Sequence, residues 1–354
     1  MAHSRIRAPR RPARTTPAGP NRESVPRAGN RSPRRYVVGV MAATAIVATN
    51  YGGPEVLAPL EVELPDPGPG EVTVQVRAAG VNPFDYKRYS GAFGTDPAAL
   101  PIRLGLESAG VVTAVGPDAT GPAGPITVGD EVIVQGGAYA TALTVPAARV
   151  VPKPAEVSWE VAAGLLVVGG TAVHLVTATG VAAGDTVLVH GAAGSVGALA
   201  AQLAVARGAR VIGTASPARH ERLRAYGIEP VEYGPGLAER VRALAPQGVN
   251  VAIDTVGTDE AVDVSLELVA DRRRIASIVA FGRAAQDGFR VLGSGPGADP
   301  GTEIRGAAWR ELLPLIASGK LDLPIAKTYP LTEATAAHEF VIEGHAGGKV
   351  VLLP

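Results

Sequence analysis

The segment TVLVHGAAGSVGALAAQLAVARGARVIGTAS, residues 186–216, constrains the fold of this chain more than any other. Val187 to His190 is an apolar run of strand length that leads into Gly191-Ala192-Ala193-Gly194-Ser195-Val196-Gly197. A helical run follows, and a second strand-like run lies at 210–214. Strand, glycine turn, helix and strand within about 30 residues match a dinucleotide-binding βαβ unit. Glycine serves there for the tight turn, for close approach of backbone to a pyrophosphate, and for packing of helix on strand. The helix start offers free N–H groups and partial positive charge to phosphates. The spacing is A-x-G-x-x-G with Ala192 in the first slot, one glycine short of the usual fingerprint. A tight structural turn is the competing reading. The expected cofactor contacts are Gly191, Ala193, Gly194, Ser195, Val196 and Gly197.

The end of the second strand bears on which dinucleotide binds. An NAD site wants an acidic residue there for the ribose 2′-hydroxyl. This chain has Gly213-Thr-Ala-Ser216-Pro-Ala-Arg219-His220, with no acid before Glu221. Ser216 can hydrogen-bond a 2′-phosphate and Arg219 can pair with it, so NADPH is expected over NADH. The alternative is a helix cap at Ser216 and a solvated arginine. Thr255 and Val256 follow another strand-like run, VNVAID, at the carboxyl end where open α/β sheets bind ligands.

Around this unit the chain divides. Residues 43–157 carry short β-branched runs between Pro/Gly clusters, with no helical period, and read as a small all-β domain. Residues 158–283 alternate strand and helix, which predicts a parallel sheet covered on both faces. Residues 284–354 mix helices with a closing strand, GKVVLLP, and are expected to return to the first domain and complete it. The assigned boundaries are a tail at 1–40, a β domain at 41–157 completed by 284–354, and a nucleotide-binding domain at 158–283.

Charge and composition exclude several classes. The 33 basic and 33 acidic side chains cancel overall, but residues 1–40 hold ten Arg and a single acid, Glu23. The remainder is therefore acidic, which argues against a nucleic-acid binder. The Arg/Pro/Ser-rich tail has no apolar period and is expected to be disordered; a transit peptide, an interaction arm and an upstream extension of the reading frame remain open for it. The chain has no Cys, which removes disulfides, thiolate metal sites and a cysteine nucleophile. The uncharged run Val161–Gly184 is long enough to cross a bilayer. Its five glycines and its His174 favour a buried helix and turn, and no membrane role is expected. Ser195 lacks a G-x-S-x-G elbow, and the six His show no ligand spacing.

Taken in order, AAGVNPFDYKRYSG, PIRLGLESAGVV, VGDEV, GGTA, HGAAGSVG, IDTVG and GKVVLL resemble the zinc-independent NADPH:quinone oxidoreductases, the zeta-crystallin-like type of the medium-chain dehydrogenase/reductase superfamily. The resemblance covers roughly residues 43–354. It implies an α/β fold, a Rossmann-type doubly wound parallel sheet plus a GroES-like mainly-β domain, with NADPH in the cleft between them. It implies catalytic-site roles for Asn82 and Thr171 beside the nicotinamide and for Lys87 toward the substrate. It places Phe281 and Lys349 near the cofactor. Asp85 is expected to brace its loop. The leucine usual before the threonine is Gly170 here.

The expected function is hydride transfer from NADPH to a quinone or an α,β-unsaturated carbonyl, without zinc, by a cytoplasmic homodimer that pairs through GFRVLGS. The alternatives are an enoyl-thioester reductase and a non-catalytic NADPH-binding sensor or partner protein.

Overall fold

The computed structural model describes residues 41–344 and 346–354. The tail and His345 lie outside them. Six parallel strands form one sheet, in the order Glu229–Val231, Arg210–Thr214, Thr186–His190, Val251–Asp254, Ile275–Ser277 and Arg290–Val291. This is the α/β class expected. The sheet runs on past residue 283 to Arg290–Val291, its edge.

The β-rich part is a seven-stranded sheet built on Glu71–Val81. That strand pairs antiparallel with Glu107–Val115, Ala142–Pro146 and the C-terminal Lys349–Leu353. The last of these pairs in parallel with Ile325–Pro330, a strand that the sequence pattern did not announce. Met41–Ala48 pairs with Leu57–Leu64 in a smaller sheet.

The helix Trp159–Ala178 lies at the centre of the largest apolar cluster, with Leu165, Leu175 and Val176 fully buried. Ser158 caps it by accepting the Val161 N–H. Among the described residues it is the one helix long and apolar enough to cross a membrane, and 78% of that apolar window is buried inside the protein. Glycine is unfavourable in a helix by about 1 kcal/mol, but here it permits close contact. A methyl at Gly169 would stand 2.6 Å from Leu312, and one at Gly164 would stand 2.6 Å from the Lys349 stem.

Two local expectations are corrected. Residues 83–89 form a helix, Pro83–Tyr89, inside the region read as purely β. Pro83 occupies its first turn, and the Asp85 carboxylate accepts the Asn82 N–H at 2.9 Å, so local capping outweighs the β character of its neighbours. The strand expected to run through Phe281 stops at Ser277. The Ser277 hydroxyl donates to Asp254 Oδ2 (2.6 Å) and accepts the N–H groups of Val279 and Ala280. This turns the chain out of the ladder, and Phe281 opens the helix Phe281–Asp287.

Candidate active site

The glycine loop forms a cradle whose parts have separate reasons. Gly191 has φ +74°, and a methyl there would stand 2.6 Å from Thr255 Oγ1. Gly197 lets the helix Ser195–Ala206 approach the strand end, since a methyl would stand 2.2 Å from Gly191 O. Ala192, in the slot where glycine is usual, is accommodated by Gly213 opposite, whose own missing methyl would stand 2.6 Å from the Ala192 Cβ. Gly194 differs from these. It is exposed, and the nearest atom to an added methyl is Gly191 O at 3.4 Å. Protein packing does not require glycine at 194; the open space above it lies at the helix N-terminus. The Ala198 N–H bonds back to Gly194 O at 2.8 Å, leaving the first N–H groups of the helix, those of Ser195, Val196 and Gly197, directed out of its end. This cradle fits a dinucleotide pyrophosphate.

Arg222 braces it. Its Nη2 donates to Ala193 O (2.8 Å) and its Nη1 to Gly347 O (2.7 Å). Arg219 is half-buried, packs its guanidinium against Gly347, and makes no side-chain hydrogen bond among the described residues. Ser216 begins the turn that carries it. Tyr233, 48% exposed, follows the neighbouring strand Glu229–Val231 on the same side of the sheet. No motif in the sequence marks Tyr233 or Arg222 as part of the site.

At the next strand end the Thr255 hydroxyl donates to His190 O at 2.7 Å, and Asp254 Oδ1 accepts from Val256 and Gly257. Thr255 therefore positions the turn with its hydroxyl, while Val256 is exposed. Burial pushes the His190 imidazole down to about 4, which keeps it neutral. Phe281 follows the next strand end, Ile275–Ser277. Its ring fills the space beside Gly295 and lines a pocket of about 310 Å³ with Ala284, Phe289 and Leu292.

Asn82 and Lys349 are brought together with a third residue, Glu107, which no sequence motif marks as part of the site. Lys349 Nζ donates to Asn82 Oδ1 (2.6 Å) and to Glu107 Oε1 (2.8 Å). Asn82 Nδ2 donates to Glu107 Oε1 and Gly80 O, and Glu107 Oε2 accepts the Val167 N–H from within the long helix. All three side chains are buried. The Asn82 carboxamide and the Lys349 ammonium thus help to hold strand, helix and C-terminus together. A further buried chain fixes the Asn82 helix: Tyr89 OH to His338 Nδ1, His338 Nε2 to Tyr139 OH, and Tyr139 OH to Asp85 Oδ2. Burial pushes Asp85 up to about 6 and His338 down to about 4. Asp85 braces the loop through the Asn82 and Gly105 N–H groups.

Thr171, 7% exposed, donates to Val167 O and accepts from Arg305 Nη1 at 3.0 Å. Lys87 is exposed on the Pro83–Tyr89 helix, where its neighbours Phe84 and Arg88 line a cleft of about 640 Å³. Tyr51, Phe93, Asp96 and Ser294 complete much of that wall. Ser294 comes from beyond the parallel sheet's edge strand and the others from the β-rich part, so the cleft lies between the two.

A glycine cradle at the carboxyl ends of a parallel sheet, facing a β-rich part that takes back the C-terminal strand, defines an oxidoreductase of the medium-chain dehydrogenase/reductase superfamily. Family profiles agree: the alcohol dehydrogenase GroES-like domain matches residues 68–155, and the zinc-binding dehydrogenase family matches residues 229–352. The Pseudomonas aeruginosa quinone oxidoreductase is 35% identical over 86% of this chain and 97% of its own. A 2-haloacrylate reductase from a Burkholderia species is 34% identical over 89% and 99%. The Escherichia coli quinone oxidoreductase, solved in complex with NADPH, superposes with a TM-score of 0.76 at 31% identity, covering 88% of this chain and 100% of that one. The chain belongs to the quinone oxidoreductase family of this superfamily, whose cofactor is of the NAD(P) type.

Proposed function

We propose that this protein is an NADPH-dependent reductase that delivers hydride, without zinc, to a quinone or to the β-carbon of an α,β-unsaturated carbonyl. The observation that carries the reading is the cradle at Gly194: glycine is kept where the protein itself has room for a side chain. When bound, NADPH supplies the hydride from its nicotinamide ring. The chain supplies the rest. The N–H groups at the start of Ser195–Ala206 hold the pyrophosphate, and Arg222 keeps the Ala193 carbonyl turned away from it. Arg219, with Ser216 at the start of its turn, pairs with the 2′-phosphate. Phe84, Phe93 and Tyr51 offer the cleft an apolar wall for a flat acceptor. With no cysteine in the chain, the acceptor oxygen is polarised by protein donors instead of a thiolate-bound metal. The acceptor's final proton comes from water. The open edge strand Arg290–Val291 supports pairing with a second copy.

A panel of 1,4-benzoquinone, 9,10-phenanthrenequinone, 2-cyclohexenone and crotonyl-CoA, each with NADPH, tests the reading by loss of the reduced-nicotinamide absorbance. Quinone or enone turnover is expected. Turnover of crotonyl-CoA alone would favour a thioester reductase, and saturable NADPH binding without consumption would contradict the proposal.

A further inference from the structure

The helix Thr302–Ala307 brings a cation to Thr171. It rests on Trp159–Ala178 at Gly170, where an added methyl would lie 3.5 Å from Arg305 O and 3.6 Å from the Arg305 Cβ. A longer side chain at 170 would push the helix away, so the glycine admits it. The guanidinium then turns along the helix. Nη1 donates to Thr171 Oγ1 at 3.0 Å and Nε donates to His174 Nδ1 at 3.2 Å. Burial lowers the His174 pKa. With Nδ1 accepting from Arg305, the imidazole proton sits on Nε2, which reaches Asp299 Oδ2 at 3.3 Å. Asp299 Oδ1 is held by the Gly301 N–H.

Two neutral groups therefore aim Arg305, and the nearest carboxylate touches it only through His174. Among the described residues Arg305 forms no ion pair, and its Nη2 makes no hydrogen bond. Nη2 lies near Gly293, the neighbour of the cleft residue Ser294. Nη2 is open to solvent, so an anion can reach this unspent donor face and gain a charge-assisted hydrogen bond there. The paired Nη1 and Nη2 edge of a guanidinium matches the two oxygens of a carboxylate.

We propose that Arg305, set beside Thr171, selects substrates bearing a carboxylate, so that the preferred acceptors are α,β-unsaturated carbonyl compounds that also carry an acid group. The inference rests on the proposed reductase reading together with the place beside the nicotinamide that the family resemblance implies for Thr171. In the reaction, hydride adds to the β-carbon, the C=C electron pair moves to an enolate, and water protonates the α-carbon. The carboxylate takes no part beyond pairing with Arg305.

A matched pair separates the inference from the reading beneath it. Binding of 4-oxopentanoate and of its methyl ester to the NADP⁺-loaded full chain is measured by calorimetry, which needs no turnover. The wild type is expected to bind the acid about tenfold more tightly or better, the typical worth of one charged hydrogen-bonded contact. Arg305→Ala is expected to erase the preference with ester affinity unchanged, and Arg305→Lys to restore part of it. Equal affinities in the wild type, or equal losses for acid and ester in Arg305→Ala, would overturn the inference. Kinetics with 4-oxopent-2-enoate and its methyl ester follow: the expected change in Arg305→Ala is a raised KM for the acid alone. Acid-selective binding without turnover of either compound would sink the reductase reading and leave the anion site standing.

Discussion

Arg219 and Arg222 stand one helical turn apart and divide the work at the nucleotide end of the site. Arg222 is spent on two carbonyls, whereas Arg219 leans on Gly347 and makes no side-chain hydrogen bond among the described residues. A dianionic 2′-phosphate in a partly desolvated site needs such a cation, and a hydroxyl gains little from it. Arg219→Ala is therefore expected to weaken NADPH binding by about 1.5–3 kcal/mol and to leave NADH nearly unchanged. Paired fluorescence titrations check this. Equal losses for both cofactors would mean that Arg219 acts through the packing of the 346–348 segment. The residue scale is also where sequence was most legible. Gly191, with its positive φ, and Gly197, close against Gly191 O, answer to backbone geometry within a few residues, so a local pattern can report them. Even the Ala192 departure has a local partner in Gly213, on the adjacent strand.

Among the elements, the closing strand Lys349–Leu353 is tied to Glu107–Val115 and to the long helix by a buried ion pair. Lys349 and Glu107 are 2% and 0% exposed, and Val167 donates to the same carboxylate. Removing one member of a buried pair leaves a charge without compensation and costs about 3–5 kcal/mol. Lys349→Met is expected to lose stability on that scale in chemical denaturation, and Lys349→Met with Glu107→Gln to recover part of it. A double variant no more stable than the single one would contradict the pair's role. Sequence could not have shown this cluster, because it joins residues 242 and 267 positions apart. Resemblance pointed to Asn82 and Lys349, but the Glu107 that ties them together lies far from both in the chain and shares no local pattern with either. The strand Ile325–Pro330 escaped notice because five of its six residues are not buried, so no apolar alternation marks it. Arg305 lay in a region read only as loop and helix, and its meaning depends on Gly170, far away in the chain.

For the molecule as a whole, the parallel sheet supplies the cradle and the β-rich part supplies most of the cleft wall, and the C-terminal strand holds the second next to the first. Alternating strand and helix foretold the sheet, since that period follows from the pleat and the helix turn. How the last seventy residues divide between the two parts depends on contacts that no period encodes. In the proposed reaction this arrangement passes hydride from NADPH to a quinone or to the β-carbon of an enone. The most direct measurement uses NADPH deuterated at C4 on either face, with the full chain and an enone accepted in the panel, and product analysis by mass spectrometry. One of the two labelled cofactors, and one only, is expected to leave a single deuterium at the β-carbon of the saturated ketone. Reduced product free of label from both, or NADPH oxidised with the enone unchanged, would contradict it.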